Sequence, residues 1–101
     1  MKKLFISQPM RGKTDAEIRR EREIAVKEAE KALGEPVEVI DSFFAGNTMK
    51  PLECLGESLK LLANADIAYF AKGFETARGC RVEYGCAVAY EIPIIEAVSD
   101  C

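Results

Sequence analysis

The chain predicts a three-layer, doubly wound α/β domain: a parallel sheet in strand order 2-1-3-4 with helices on both faces. Three observations carry this reading. Short apolar runs alternate with segments whose apolar residues recur at helical spacing, in the order strand, helix, strand, helix, strand, helix, strand. The 101 residues suffice for one small core, so residues 1–101 are expected as a single domain. Right-handed crossovers between parallel strands then favour the order 2-1-3-4.

The first strand is Lys3-Leu4-Phe5-Ile6-Ser7, an apolar run ended by Gln8-Pro9. A glycine turn, Met10-Arg11-Gly12-Lys13, leads to Thr14-Asp15-Ala16-Glu17, which has the form of a capping box. Ile18, Ala25, Ala29, Ala32 and Leu33 mark one face of the first helix, which Gly34 should stop. A second strand is expected over residues 36–40. The loop over residues 41–50 holds Phe43, Phe44, Gly46 and Asn47. From Pro51, the spacing of Leu52, Leu55, Leu59, Leu62 and Ala63 predicts an amphipathic helix. A third strand over 67–71, a loop over 72–79, a helix over 82–90 and a fourth strand over 93–98 complete the chain.

Composition narrows the function. Charged residues make up 31% of the chain and the formal net charge is −3, so nothing suggests a basic surface for nucleic acid. No apolar run reaches 18 residues, and the apolar stretch at the start is too short for a leader. A cytoplasmic protein without a membrane partner is expected. The four cysteines, Cys54, Cys80, Cys86 and Cys101, lack Cys-x-x-Cys spacing and the chain has no histidine. Reduced thiols, no zinc site and no cofactor are therefore expected. Without histidine, acid/base chemistry must use carboxylate, lysine, tyrosine or thiol.

Glu83 stands out as a charge at the head of an otherwise mostly apolar helix, just after residues 77–80. In an open α/β sheet this place lies on the ligand-binding rim, and order 2-1-3-4 brings the loops after strands 1 and 3 into one crevice. Those loops supply Gln8, Pro9, Met10, Arg11 and Gly12 on one side and Lys72, Gly73, Glu75, Arg78 and Gly79 on the other. Asp41 follows strand 2 on the same rim.

Three stretches carry a family resemblance: residues 4–12, residues 65–70, and Gly79-Cys80-Arg81-Val82-Glu83-Tyr84-Gly85-Cys86-Ala87. In that order, and across nearly the whole chain, they resemble the nucleoside 2-deoxyribosyltransferase superfamily, closest to a small uncharacterised branch. The Arg11-Gly12 turn also resembles the phosphate-side loop of deoxynucleoside 5′-monophosphate N-glycosidases. The resemblance implies cleavage or transfer of an N-glycosidic bond on a (deoxy)nucleoside or its 5′-monophosphate, with Glu83 as nucleophile and the two loops as substrate-binding segments. It also implies a homodimer or larger homo-oligomer. An ordinary Glu pKa of about 4.3 would leave Glu83 ionised at neutral pH. This chain departs from its relatives at two places. Ala77 stands where relatives carry an aspartate six residues before the nucleophile, with Glu75 two residues earlier as a substitute. Phe5 stands where many have a tyrosine whose hydroxyl bonds the nucleophile.

Structural readings stand beside these. Glu83 suits a helix start through the macrodipole, and Cys80-x-x-Glu83 is a poor capping box. Arg11 and Lys13 read equally as a solvated turn, and Asp41, Lys72 and Arg78 equally as exposed loop charges. Asp66 precedes strand 3, away from the crevice, and suits a turn or cap. Phe43, Phe44 and Tyr69 read as base-stacking groups or as core and lid. Cys80, near a helix start that would lower its pKa, is a minor candidate nucleophile. A catalytically silent nucleotide-binding module is the alternative function, and a scaffold domain without ligand a third.

Overall fold

The computed structural model describes residues 1–42 and 50–97. Its sheet has four parallel strands in the order β2-β1-β3-β4: β1 (Lys2–Ser7), β2 (Val37–Val39), β3 (Ile67–Phe70) and β4 (Ile94–Glu96). Helices α1 (Asp15–Leu33), α2 (Pro51–Leu62) and α3 (Arg78–Ala89) connect them, with a short 3-10 turn at Phe74–Thr76. This is the Rossmann-like arrangement expected from the alternating periodicities. The fourth strand is shorter than expected, and Val98 lies outside the described residues, as do Phe43, Phe44, Gly46, Asn47 and Cys101.

The two-residue period of a strand sorts the core into two layers. Leu4 and Ile6 of β1, with Ile67 and Tyr69 of β3, pack with Ala25 and Ala29 of α1. Phe5 of β1, with Ala68 and Phe70 of β3, packs on the opposite face with Leu62 of α2 and Ala87 of α3. Phe5, Phe70, Leu4 and Ile6 are the largest fully buried side chains, so the central strand pair is the core of both layers. Phe70, Phe74 and Tyr84 add an aromatic cluster on the α2/α3 side, with ring centroids 5.1–5.3 Å apart.

The first helix begins as its sequence signals. Thr14 accepts from the Glu17 N–H, and the Glu17 carboxylate accepts from the Thr14 N–H. Gly34 ends the helix at φ 72°, in the left-handed region where glycine lacks the Cβ penalty. Ala32 is exposed rather than on the buried face, which Leu33 continues in the last turn. In α2, Leu52 is likewise exposed, and the cover comes from Leu59 and Leu62. Ala63, expected on the buried face of this helix, is an exposed C-cap.

At the opposite end of the sheet, Asp66 ties β3 to β1. Its carboxylate accepts from the Lys3 N–H at 2.8 Å, and its own N–H donates to the Lys3 carbonyl at 2.9 Å. It lies away from the crevice and joins strand ends. Tyr69 is not a base-stacking residue either, because residue 69 points to the α1 side, where its hydroxyl donates to Glu28.

Truncating Phe70 to alanine should cost about 3–5 kcal/mol in urea denaturation, whereas Leu52→Ala should change stability by about 0.5 kcal/mol or less. Equal losses at both positions would contradict this placement of the core.

Candidate functional site

The sheet's connection order reverses between β1 and β3, and the segments after their carboxyl ends meet there. The Ala71 N–H donates to the Ser7 carbonyl at 2.8 Å, extending the strand pairing into the rim. Beyond it, Gly73, at φ 85°, packs close to Pro9. A side chain at residue 73 would just meet the Pro9 ring, so the segments after β1 and β3 come close at two of the residues singled out in the sequence.

Glu83 lies within α3 and not at its start. The helix begins at Arg78, so Arg78, Gly79 and Cys80 form its first turn and Glu83 belongs to the second. The N-terminal N–H groups therefore face the rim one turn before Glu83, and Cys80-x-x-Glu83 is interior helix rather than a capping box. What makes Glu83 unusual is burial: it is 8% exposed, on the face of α3 that also buries Cys80 and Ala87.

A buried carboxylate needs donors, and two hydroxyls supply them. Ser7, the last residue of β1, donates to Glu83 Oε1 at 2.6 Å. Ser58, on α2, also hydrogen-bonds to the carboxylate. Burial pushes the Glu83 pKa above its ordinary value, and the two hydroxyls pull it back in part by stabilising the charged form. The carboxylate is thus harder to ionise than the unperturbed residue expected from sequence. Cys80, one turn earlier, hydrogen-bonds to Ser7. Burial pushes the Cys80 thiol up, and the nearby Glu83 charge adds to that, against the lowering by Ser7 and by the charge of Lys13. A helix-start thiolate is therefore not what the fold produces.

A second polar group borders the first. Gln8 is buried, and its side-chain amide donates to the Ile18 carbonyl at 3.2 Å and to Glu21 at 3.0 Å. Arg22 donates to the Gln8 amide oxygen at 3.1 Å and to the Ile40 carbonyl at 3.2 Å. Lys13 pairs with Glu21 at 2.6 Å. Burial works against the Arg22 charge, and the exposed Asp41 carboxylate supports it. Gln8, the Ile40 carbonyl and Ser42 thereby hold the segments after β1 and β2 against α1 through Arg22. Among the described residues, every buried side-chain nitrogen and oxygen has a hydrogen-bond partner.

The remaining candidates divide. Arg11 and Gly12 form an exposed turn, closed by the Lys13 N–H donating to the Met10 carbonyl at 3.2 Å, with Gly12 at φ 78°. Lys72, Gly73 and Glu75 line a cavity of about 430 Å³ with Phe74, Glu96 and Ala97. Glu83 is not among its lining residues. Arg78 is exposed, and Gly79 faces Leu55 of α2, so its contribution is helix packing. Among the described residues, no group of three acidic, cysteine or histidine side chains is placed to hold a metal ion, and no helix is long and apolar enough to cross a membrane.

Ser7, Ser58, Arg22 and Glu21 were not singled out as site residues, although the sequence carries a signal for each. Ser58 interrupts the apolar stripe Leu55, Leu59, Leu62, and Glu21 and Arg22 fill the gap between Ile18 and Ala25. Ser7 is the polar end of an apolar strand, on the same face as Phe5.

Comparison with family models, curated proteins and solved structures returns no match to this chain.

A raised folded-state pKa makes Glu83 a pH-dependent element of stability. Its protonated form favours the fold below the ordinary carboxylate range, and that contribution is lost as pH rises through the raised value. The stability of Glu83→Gln relative to wild type, from urea midpoints across pH 4 to 8, should therefore increase with pH. A difference that stays flat or falls would show that the carboxylate is not held against burial.

Proposed function

We propose that this protein breaks or transfers the N-glycosidic bond of a (deoxy)nucleoside or its 5′-monophosphate, with Glu83 as nucleophile. The observation that carries the proposal is a buried carboxylate held by hydroxyls from two other elements, beside the crevice between β1 and β3. Such a group is costly to keep for the fold alone, and perturbed carboxylates concentrate where chemistry is done. The resemblance to the nucleoside 2-deoxyribosyltransferase superfamily places its nucleophile at this residue. The hydroxyl that relatives draw from a strand-1 tyrosine, replaced here by Phe5, has a counterpart two residues on: Ser7 occupies the same strand face.

In the proposed reaction a Glu83 carboxylate oxygen bonds to the anomeric carbon as the carbon–nitrogen bond breaks, and the bonding pair leaves with the base. The base takes a proton from water. Water or a second base then attacks the anomeric carbon and frees the carboxylate. The Met10–Lys13 turn and Lys72 offer cationic and backbone groups to a 5′-phosphate.

One observation favours the second reading, a nucleotide-binding module without turnover. Burial stabilises the neutral form of Glu83, which is a poor nucleophile.

Chromatographic detection of free base separates the two. Incubated with a panel of deoxynucleosides and their 5′-monophosphates, with and without an acceptor base, the wild type should release or exchange base, and Glu83→Gln should lose at least about 10³-fold. The rate should rise with pH through a limb lying above the ordinary carboxylate range, since only ionised Glu83 attacks. Turnover equal to wild type in Glu83→Gln would overturn the mechanism. A ligand-induced rise in melting temperature without base release would support the binding module.

A further inference from the structure

Glu83 meets hydroxyls from two directions. Ser7 comes from the end of β1, under the rim, and is 2% exposed. Ser58 comes from α2, at a position of the helical stripe otherwise occupied by Leu55, Leu59 and Leu62. Both serines stand beside residues that pack in the α2/α3 layer, Ser7 on the strand face of Phe5 and Ser58 next to Leu59. With their hydroxyls removed, the carboxylate would be left with desolvation and no compensating donor.

We propose that Ser7 and Ser58 are positioning residues: a two-hydroxyl clamp, built from β1 and α2, that aims the Glu83 carboxylate and stabilises its ionised form. The inference rests on Glu83 being the group that meets the ligand. Two fixed donors leave the carboxylate few orientations, and a carboxylate that accepts hydrogen bonds ionises more readily than a bare one in the same apolar setting. The Ser7 hydroxyl donates to Glu83 Oε1 at 2.6 Å, and Cys80 lies beside the same serine. Cys80 and, through its charge on Cys80, Lys13 are the titratable groups facing the clamp among the described residues.

The test uses the free protein, so it does not depend on activity. The wild type, Ser7→Ala and Ser58→Ala are labelled with ¹³C at the glutamate carboxyl, and the Glu83 signal, assigned by its loss in Glu83→Gln, is followed against pH. Each alanine variant should shift the Glu83 midpoint upward, and Ser7→Thr, which restores a hydroxyl, should move it back toward wild type. The cysteine control, Cys80→Ala, should leave the midpoint near that of the wild type, because the thiol is no donor to the carboxylate. Base release at neutral pH should fall roughly tenfold in each serine variant and recover as pH is raised. Ser58→Ala, at a half-buried helix position, keeps the test open if Ser7→Ala does not fold. Unchanged midpoints in folded alanine variants would overturn the clamp. Shifted midpoints in a protein that releases no base would uphold the clamp and refute the glycosidic reading instead.

Discussion

The pairing of β1 with β3 is the constraint on which the rest of the structure depends. These strands run in register from Leu4 opposite Ile67 to Ser7 opposite Phe70, and their side chains fill both core layers. A slip of β1 by one residue would turn Phe5 toward α1 and Leu4 and Ile6 toward α2 and α3. It would also carry Ser7 to the wrong face. Because the strand period is two, the register that buries Phe5 is the register that delivers the Ser7 hydroxyl to Glu83. Core packing and site geometry are therefore one choice.

The candidate site spends some of the stability the core supplies. A carboxylate that is 8% exposed loses most of its hydration, and two neutral hydroxyls replace it only in part, which is why burial dominates its ionisation. The neighbouring Gln8, Glu21, Arg22 and Lys13 group is arranged differently, with opposite charges and an amide in direct contact. That group satisfies itself and braces the segments after β1 and β2 against α1. Of the two polar clusters at the crevice, one is internally balanced and the other holds a carboxylate against burial, a distinction that marks Glu83 as the candidate reactive group.

Much of the fold was legible because local signals agreed with one another. Capping by Thr14 and Glu17, the stop at Gly34 and the proline at the start of α2 each depend on a few neighbouring residues, and each is present as the sequence suggests. The start of α3 was less legible, since Ala77, Arg78, Gly79 and Cys80 carry no capping side chain and a glycine obscures the first turn. Tyr69 was ambiguous for another reason. A buried strand is apolar on both faces, so sequence alone does not tell which layer a tyrosine joins.

By itself, the sequence determined the alternation of strands and helices, the parallel order 2-1-3-4 and the singular character of Glu83, because periodicity, crossover handedness and an isolated charge are properties of short segments or of their order. Only the tertiary structure decided which hydroxyls face that charge. Ser7 and Glu83 are 76 positions apart, and Ser58 lies on a third element. Their convergence follows from strand register and from the seating of α2 and α3 on the sheet, which depend on packing across the whole domain. The same packing raises the proton affinity of Glu83, since desolvation depends on everything that surrounds a group in space and not on its neighbours along the chain.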